Sequence, residues 1–152
     1  MATYQVALNR AGVNAANAVL AELRAAGSDR AVLREVGISM AVLPTTAPRF
    51  VLARPNNVSA GGANNVPLPS DPADGAAASS FILTGQTTVP TFAIAGPFLK
   101  VAGLPLTLGA GLIWTFPGEG LVVPLSGSLL LANLNASGAT LGSFDIYAIW
   151  EE

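Results

Sequence analysis

The sequence predicts a mostly β chain, a single jelly-roll-like β-sandwich of about eight to ten strands with one α-helix near its start. Three observations lead there. Apolar side chains recur at every second position over Leu106, Leu108, Ala110, Leu112, Trp114 and Phe116, and again over Phe144, Ile146, Ala148 and Trp150. That is the period of a strand with one heavy face. Turn residues, among them 16 Gly and 11 Pro, punctuate the chain at spacings of about 8 to 12 residues, as in sandwiches and barrels. Only residues 14–26 carry helical spacing. The 152 residues fit one domain, 1–152, large enough to bury a core without staples.

Taken in order, Thr3 to Asn9 alternates Tyr4, Val6 and Leu8 against Gln5 and Ala7 and reads as a first strand. The helix comes next. Ala16, Val19, Leu20 and Leu23 fall at i, i+3, i+4 and i+7, Asn14 can cap the start and Gly27 the end. Arg30 to Val42 returns to strand, with Val36, Ile38, Met40 and Val42 on one face and a bulge expected near Glu35. Pro48 to Arg54 is another strand. Residues 55–79 are almost all Pro, Asn, Gly, Ser, Asp and Ala. They read as a long functional loop, ordered by contact with a neighbouring subunit. Ser80 to Thr84 and Thr88 to Ala95 are strands about a Gly85-Gln86 turn, Pro90 confining part of the second to an edge or a bend. Pro97 to Gly103 is a connector. The Leu106 to Phe116 strand, Leu121 to Pro124, Ser128 to Leu134 and the terminal strand complete the set.

Charge is scarce, at 11% of residues against a usual figure of about 25%. Eighteen uncharged residues separate Lys100 from Glu119, and 25 separate Glu119 from Asp145. Both runs alternate and are broken by Pro105, Pro117 and Pro124, so they do not read as spanning helices, and no membrane partner is expected. A surface with so little charge should be partly hidden against neighbours, which predicts a homo-oligomer or a component of a shell. Residues 1–54 hold six cations and three acids, a net +3, and the remainder one cation and six acids, a net −5. Opposed halves suit contacts between copies. Six scattered Arg make no nucleic-acid footprint, so no nucleic-acid partner is expected.

The chain has no Cys and no His. Nucleophilic catalysis would fall to a Ser–Lys pair with Lys100, and neither S-x-x-K nor G-x-S-x-G occurs. Asp71, Asp74, Glu119 and Asp145 are the candidate acids for glycosidic work. Asp71 and Asp74 in a Pro/Ala loop and Glu119 in a turn read as solvated charges, and no acid spacing resembles a calcium loop. Gly109-Ala110-Gly111 lacks the third Gly of a dinucleotide fingerprint, position 114 being Trp. The expectation is therefore no enzyme, no cofactor and no metal. Trp114 and Trp150 lie on heavy faces and read as core before sugar-stacking platforms. Asn57-Val58-Ser59 and Asn135-Ala136-Ser137 match a glycosylation sequon by chance, since MATYQVALNR has no secretory character.

Several stretches taken together carry a family resemblance: YQVALNRAG at the start, REVGI, LARPNN, GAGLIWTFPGEGLVVPLSGSLLLANL and the terminal DIYAIWEE. In that order they resemble small virion-associated proteins of tailed bacteriophages of actinobacteria, over nearly the whole chain. The matching motifs are structural rather than chemical. The resemblance implies a capsid decoration, cement or minor capsid protein, located in the virion and assembled in the host cytoplasm. Its partners would be the major capsid protein or another virion protein, and other copies of itself. The alternative is a carbohydrate- or receptor-binding β-sandwich of a phage tail or fibre. From exposure and charge, the candidate interface is Tyr4, Arg10, Arg54, Asn56, Asn57, Asn64, Asn65, Asp71, Glu151 and Glu152.

Overall fold

The computed structural model of the chain describes residues 1–12, 15–25, 29–74, 80–135 and 142–152. Their strands, in chain order, are β1 (Thr3–Ala11), β2 (Ala18–Arg24), β3 (Ala31–Val42), β4 (Arg49–Ala53), β5 (Ala63–Asn65), β6 (Leu68–Pro69), β7 (Phe81–Thr84), β8 (Lys100–Gly103), β9 (Gly111–Thr115), β10 (Leu121–Val123), β11 (Ser128–Asn133) and β12 (Ser143–Glu151). They form two six-stranded antiparallel sheets. The front sheet runs β10-β3-β12-β1-β6, with β9 also on β3, and the back sheet runs β5-β7-β2-β11-β4-β8. The chain's two halves pair back on each other: β1 with β12, β2 with β11, β3 with β9 and β10, β4 with β8.

The core lies between the sheets and follows two-residue alternation. β12 sends Phe144, Ile146, Ala148 and Trp150 inward, and β4 answers with Phe50 and Leu52. Phe50 and Phe144 meet edge-on, with ring centroids 5.2 Å apart and planes at 85°, a favourable aromatic geometry. Trp150 is fully buried and lies 6.4 Å from Tyr4 between centroids. Trp114 packs on the same core, half-buried. The back sheet is buried on its other face too. Val19, Val51, Ala53, Leu130 and Ala132 form a second cluster there beneath Phe92, with Phe98 and Leu134 against it.

That double burial explains why the expected helix is a strand instead. Ala18 to Arg24 is β2, and Asn14 and Gly27, expected as its caps, lie outside the described residues. The β11 partners step from Ala21 to Val19, leaving Leu20 as an extra residue. The bulge puts Leu20 and Ala21 both on the main-core side, while Val19 fills the second cluster. An apolar run with its parity shifted by one imitates helical spacing.

Other expectations need correction. Thr88 to Ala95 is not a strand; only an Ala60–Thr88 bridge forms there, and Phe92 serves as the lid of the second cluster. The expected connector instead contains β8, which pairs with β4. The heavy strand begins at Gly111 rather than Leu106. Pro105 offers no donor, and Gly109 sits at φ +76° in a turn closed by Ala110 N–H to Thr107 O. Leu108 is 64% exposed as a result. Residues 55–74 are ordered from within the chain. β5 pairs with β7, β6 with β1, and Asn57 Oδ1 accepts from Thr91 N–H at 2.9 Å and Thr91 Oγ1 at 2.7 Å. Polar hydrogen bonds replace the apolar contacts this stretch lacks; residues 75–79 lie outside the described residues. The expected bulge is present one residue from Glu35, the β12 partners stepping from Glu35 to Leu33 past Arg34.

Phe144→Ala should therefore cost about 3–5 kcal/mol, as for other large aromatic truncations in a packed core. Equilibrium denaturation with urea is the check, with Leu108→Ala as an exposed control changing stability by less than about 0.5 kcal/mol.

Candidate functional site

The two sheets differ in what covers them. The back sheet carries its own lid, whereas the outer face of the front sheet is open. Alternation assigns that face: Gln5, Ala7 and Asn9 from β1, Asp145, Tyr147 and Ile149 from β12, Glu35, Gly37 and Ser39 from β3, and Gly111, Ile113 and Thr115 from β9. Small residues, Ala7, Gly37, Ser39 and Gly111, alternate with larger ones across the face and leave it hollowed in two places. One hollow of about 860 Å³ is lined by Ala7, Asn9, Ser39, Gly111, Ile113, Asp145 and Tyr147 among others. A second, of about 530 Å³, lies between Gln5, Glu35, Val66, Leu68, Tyr147 and Ile149. Tyr147 is the ridge between them. Ile113 is 60% exposed and Leu68 67%, an open apolar rim of the kind that marks an interaction surface.

Tyr147 is held in place from two sides. Its cross-strand partner is Gly37, and a Cβ added at Gly37 would strike the Tyr147 ring. The ring therefore lies over the glycine, half-buried. Its hydroxyl donates to Glu35 Oε1 at 2.6 Å. That bond to the carboxylate, then burial, pushes the hydroxyl pKa up from 10.0 to about 12. Asn9 Nδ2 donates to Asp145 Oδ1 at 2.7 Å in the neighbouring hollow. At one end of the face, Arg34 donates to Glu151 Oε2 at 2.6 Å and to Gly118 O. The hydrogen bond from Arg34 holds the Glu151 carboxyl below its ordinary range.

The residues expected at the interface are scattered. Tyr4 is not on the surface: it is 4% exposed and packs on Trp150, because it falls on the inward phase of β1. Burial, and then the charges of Glu152 and Asp74, raise its hydroxyl pKa. Arg10 is half-buried and points in beside Gly85. Glu151 is engaged by Arg34, and Glu152 Oε2 accepts from Ser80 N–H at 3.0 Å. Asn57 and Asn65 hold their own loop, Asn65 Nδ2 donating to Ile82 O at 3.0 Å, and Asp71 Oδ1 accepts from Ala73 N–H at the turn of 3-10 helix at Pro72–Asp74. Arg54, Asn56 and Asn64 are exposed, Arg54 with one donor on Val122 O. None of the ten lines the concave face.

The residues that do line it were visible only as the light phase of the alternating strands, Glu35-Gly37-Ser39 and Asp145-Tyr147-Ile149. Nothing local marks Gly37 and Tyr147 as partners. Among the described residues, no three acids, His or Cys gather as metal ligands, and Lys100 sits 5.8 Å over the Phe116 ring. No helix among them is long and apolar enough to cross a membrane. Glu22 is fully buried on the back sheet, its Oε2 3.5 Å from Gln86 Nε2.

Because the folded chain holds the Tyr147 proton more tightly than the unfolded chain, this bond stabilises below pH 10 and its contribution is lost as pH rises toward about 12. Tyr147→Phe should flatten part of the fall in stability over that window and leave the part due to Tyr4. Urea midpoints measured at stepped pH, with tyrosinate absorbance alongside, check this. Comparison of the chain with protein-family models, curated proteins and solved structures found no match.

Proposed function

We propose that this chain is a structural protein of a virion, a capsid decoration, cement or minor capsid component without enzymatic activity. It binds the phage shell, through the major capsid protein or another virion protein, and other copies of itself. The observation that carries this reading is the uncovered apolar concavity of the front sheet, set in a surface with very little charge. A jelly-roll winding is part of the proposal. Its support is that β1, β2, β3 and β4 pair in turn with β12, β11, β9–β10 and β8, which is the order made by rolling up one long antiparallel hairpin. Jelly rolls serve in viral capsids and in lectins, so the fold argues by analogy only. The resemblance to virion-associated phage proteins points the same way. The mechanism is additive: a modest contact of roughly 1,600 Å², repeated over symmetric copies, holds a shell by avidity.

Leu68→Asp puts a charge on the exposed rim of the concavity. It should reduce co-sedimentation with purified phage particles at least about tenfold, given that a desolvated unpaired charge costs more than 1.4 kcal/mol. Unchanged thermal unfolding of the variant is the control. Wild-type protein that stays in the supernatant with particles lacking it would sink the proposal.

A second reading has one specific observation in its favour. The Tyr147 ring, which lines both hollows and is flanked by Asn9–Asp145 and Glu35, is the combination of aromatic surface and polar rim that a sugar ring meets in a receptor-binding tail or fibre protein. On that reading a glycan array gives hits that Tyr147→Ala abolishes.

A further inference from the structure

The hydrogen-bond parity of the front sheet exposes a strand edge that the fold does not use. Met40 N–H donates to Ala110 O at 2.9 Å and Phe116 N–H donates to Arg34 O at 2.8 Å. In an antiparallel ladder the paired residues alternate, so Ala110, Leu112, Trp114 and Phe116 aim their backbone groups at β3. Gly111, Ile113 and Thr115 aim theirs the opposite way, where no strand pairs with β9 among the described residues. This edge carries no Lys, no Pro and no bulge, the usual protections of an open edge. It holds two β-branched residues instead, and Ile113 is 60% exposed.

From this we infer that β9 is a homodimer interface, pairing antiparallel with β9 of a second copy about a two-fold axis at Ile113. That register sets Gly111 opposite Thr115 of the other copy, and Ile113 opposite its own equivalent. Each of the three pairs can exchange two backbone hydrogen bonds. Self-complementarity is what selects a second copy as the occupant. The three residues with outward amides are symmetric about Ile113, and their side chains are uncharged. The exposed Ile113 gains its own image as an apolar neighbour. The turns at Gly109 and Pro117 end the strand on both sides, so the ladder closes after three pairs rather than extending into a filament. β1 offers a comparable edge at Ala7, Asn9 and Ala11, the other parity being set by Gly12 N–H to Gly142 O and Ser70 N–H to Thr3 O. Pairing there would bury only Ala and an Asn already bonded to Asp145, so it lacks the apolar gain. Joining two copies at β9 would also merge their large concavities, which reach Gly111 and Ile113.

The inference deepens the self-association in the proposed function and rests on that part of it, but its test uses the isolated protein. A short edge pairing falls at the small end of interfaces, so sedimentation velocity should show a weak, concentration-dependent dimer. Thr115→Pro removes an amide that pairs with no strand among the described residues. It should weaken the dimer at least about tenfold, since symmetry removes two hydrogen bonds, with an unchanged far-ultraviolet spectrum. Should that variant unfold, Ile113→Lys gives the same reading. The chain has no Cys, so oxidised Ile113→Cys should yield a disulfide dimer and Asn9→Cys a monomer. A monomer at all concentrations, a dimer indifferent to Thr115→Pro and Ile113→Lys, or cross-linking only through Asn9→Cys or between Asn9→Cys and Ile113→Cys chains would each overturn β9 pairing. Particle binding that persists in such a monomer would leave the virion reading standing.

Discussion

Everything in the front half of the molecule depends on β12 being hydrogen-bonded along both edges. It pairs with β1 from Ser143–Ala11 to Glu151–Thr3 and with β3 from Ser143–Val42 to Glu151–Val32. One strand therefore sets two surfaces at once. Phe144, Ile146, Ala148 and Trp150 supply the core, and the alternate residues Asp145, Tyr147 and Ile149 supply the exposed face. Because the side-chain period is two, a slip of one residue would exchange those sets. Burial of Trp150 and Phe144 is thus also what holds Tyr147 over Gly37 and next to Glu35.

Three register shifts interrupt the ladders, at Leu20, Arg34 and Ala41, and the first two have a clear structural consequence. At Leu20 the extra residue turns two consecutive side chains, Leu20 and Ala21, into the main core and leaves Val19 for the second cluster. At Arg34 the extra residue sets the guanidinium on the outer side, where it bridges Glu151 and the Gly118 carbonyl. That bridge joins β3, the end of β12 and the β9–β10 turn. It lies at the surface, so its contribution to stability is modest; its effect is to fix where the apolar face ends.

The sheets are unequal in their outer environments. The back sheet is covered from within by Phe92 and Phe98, which explains unbroken burial along β11 and most of β2. Among the described residues the front sheet has no such lid, and its surface is supplied by small residues between Tyr147 and Ile113. A chain with 11% charged residues has few charged side chains to spread over such a face. The same composition leaves β9 without an edge charge. Shell binding and self-pairing are proposed for adjoining parts of one uncovered surface, and both follow from that shortage.

Alternation alone was enough to identify the sequence as mostly β, to place β1, β3, β4, β11 and β12 within a few residues, and to assign Trp114 and Trp150 to the core. These depend on local periodicity, which is written in neighbouring residues. It misread β2 as a helix, because a strand buried on both sides and bulged at Leu20 presents the same apolar spacing as one helix face. Expected exposure and charge put Tyr4 at an interface, although Tyr4 shares the inward phase of Val6 and Leu8 and is buried. What only the tertiary structure decided is which strands become neighbours: Gly37 beneath Tyr147, Asn9 beside Asp145, Glu35 within reach of a hydroxyl 112 residues away. Those meetings are set by register between distant strands, a property of the assembled sheets that no stretch of sequence carries by itself.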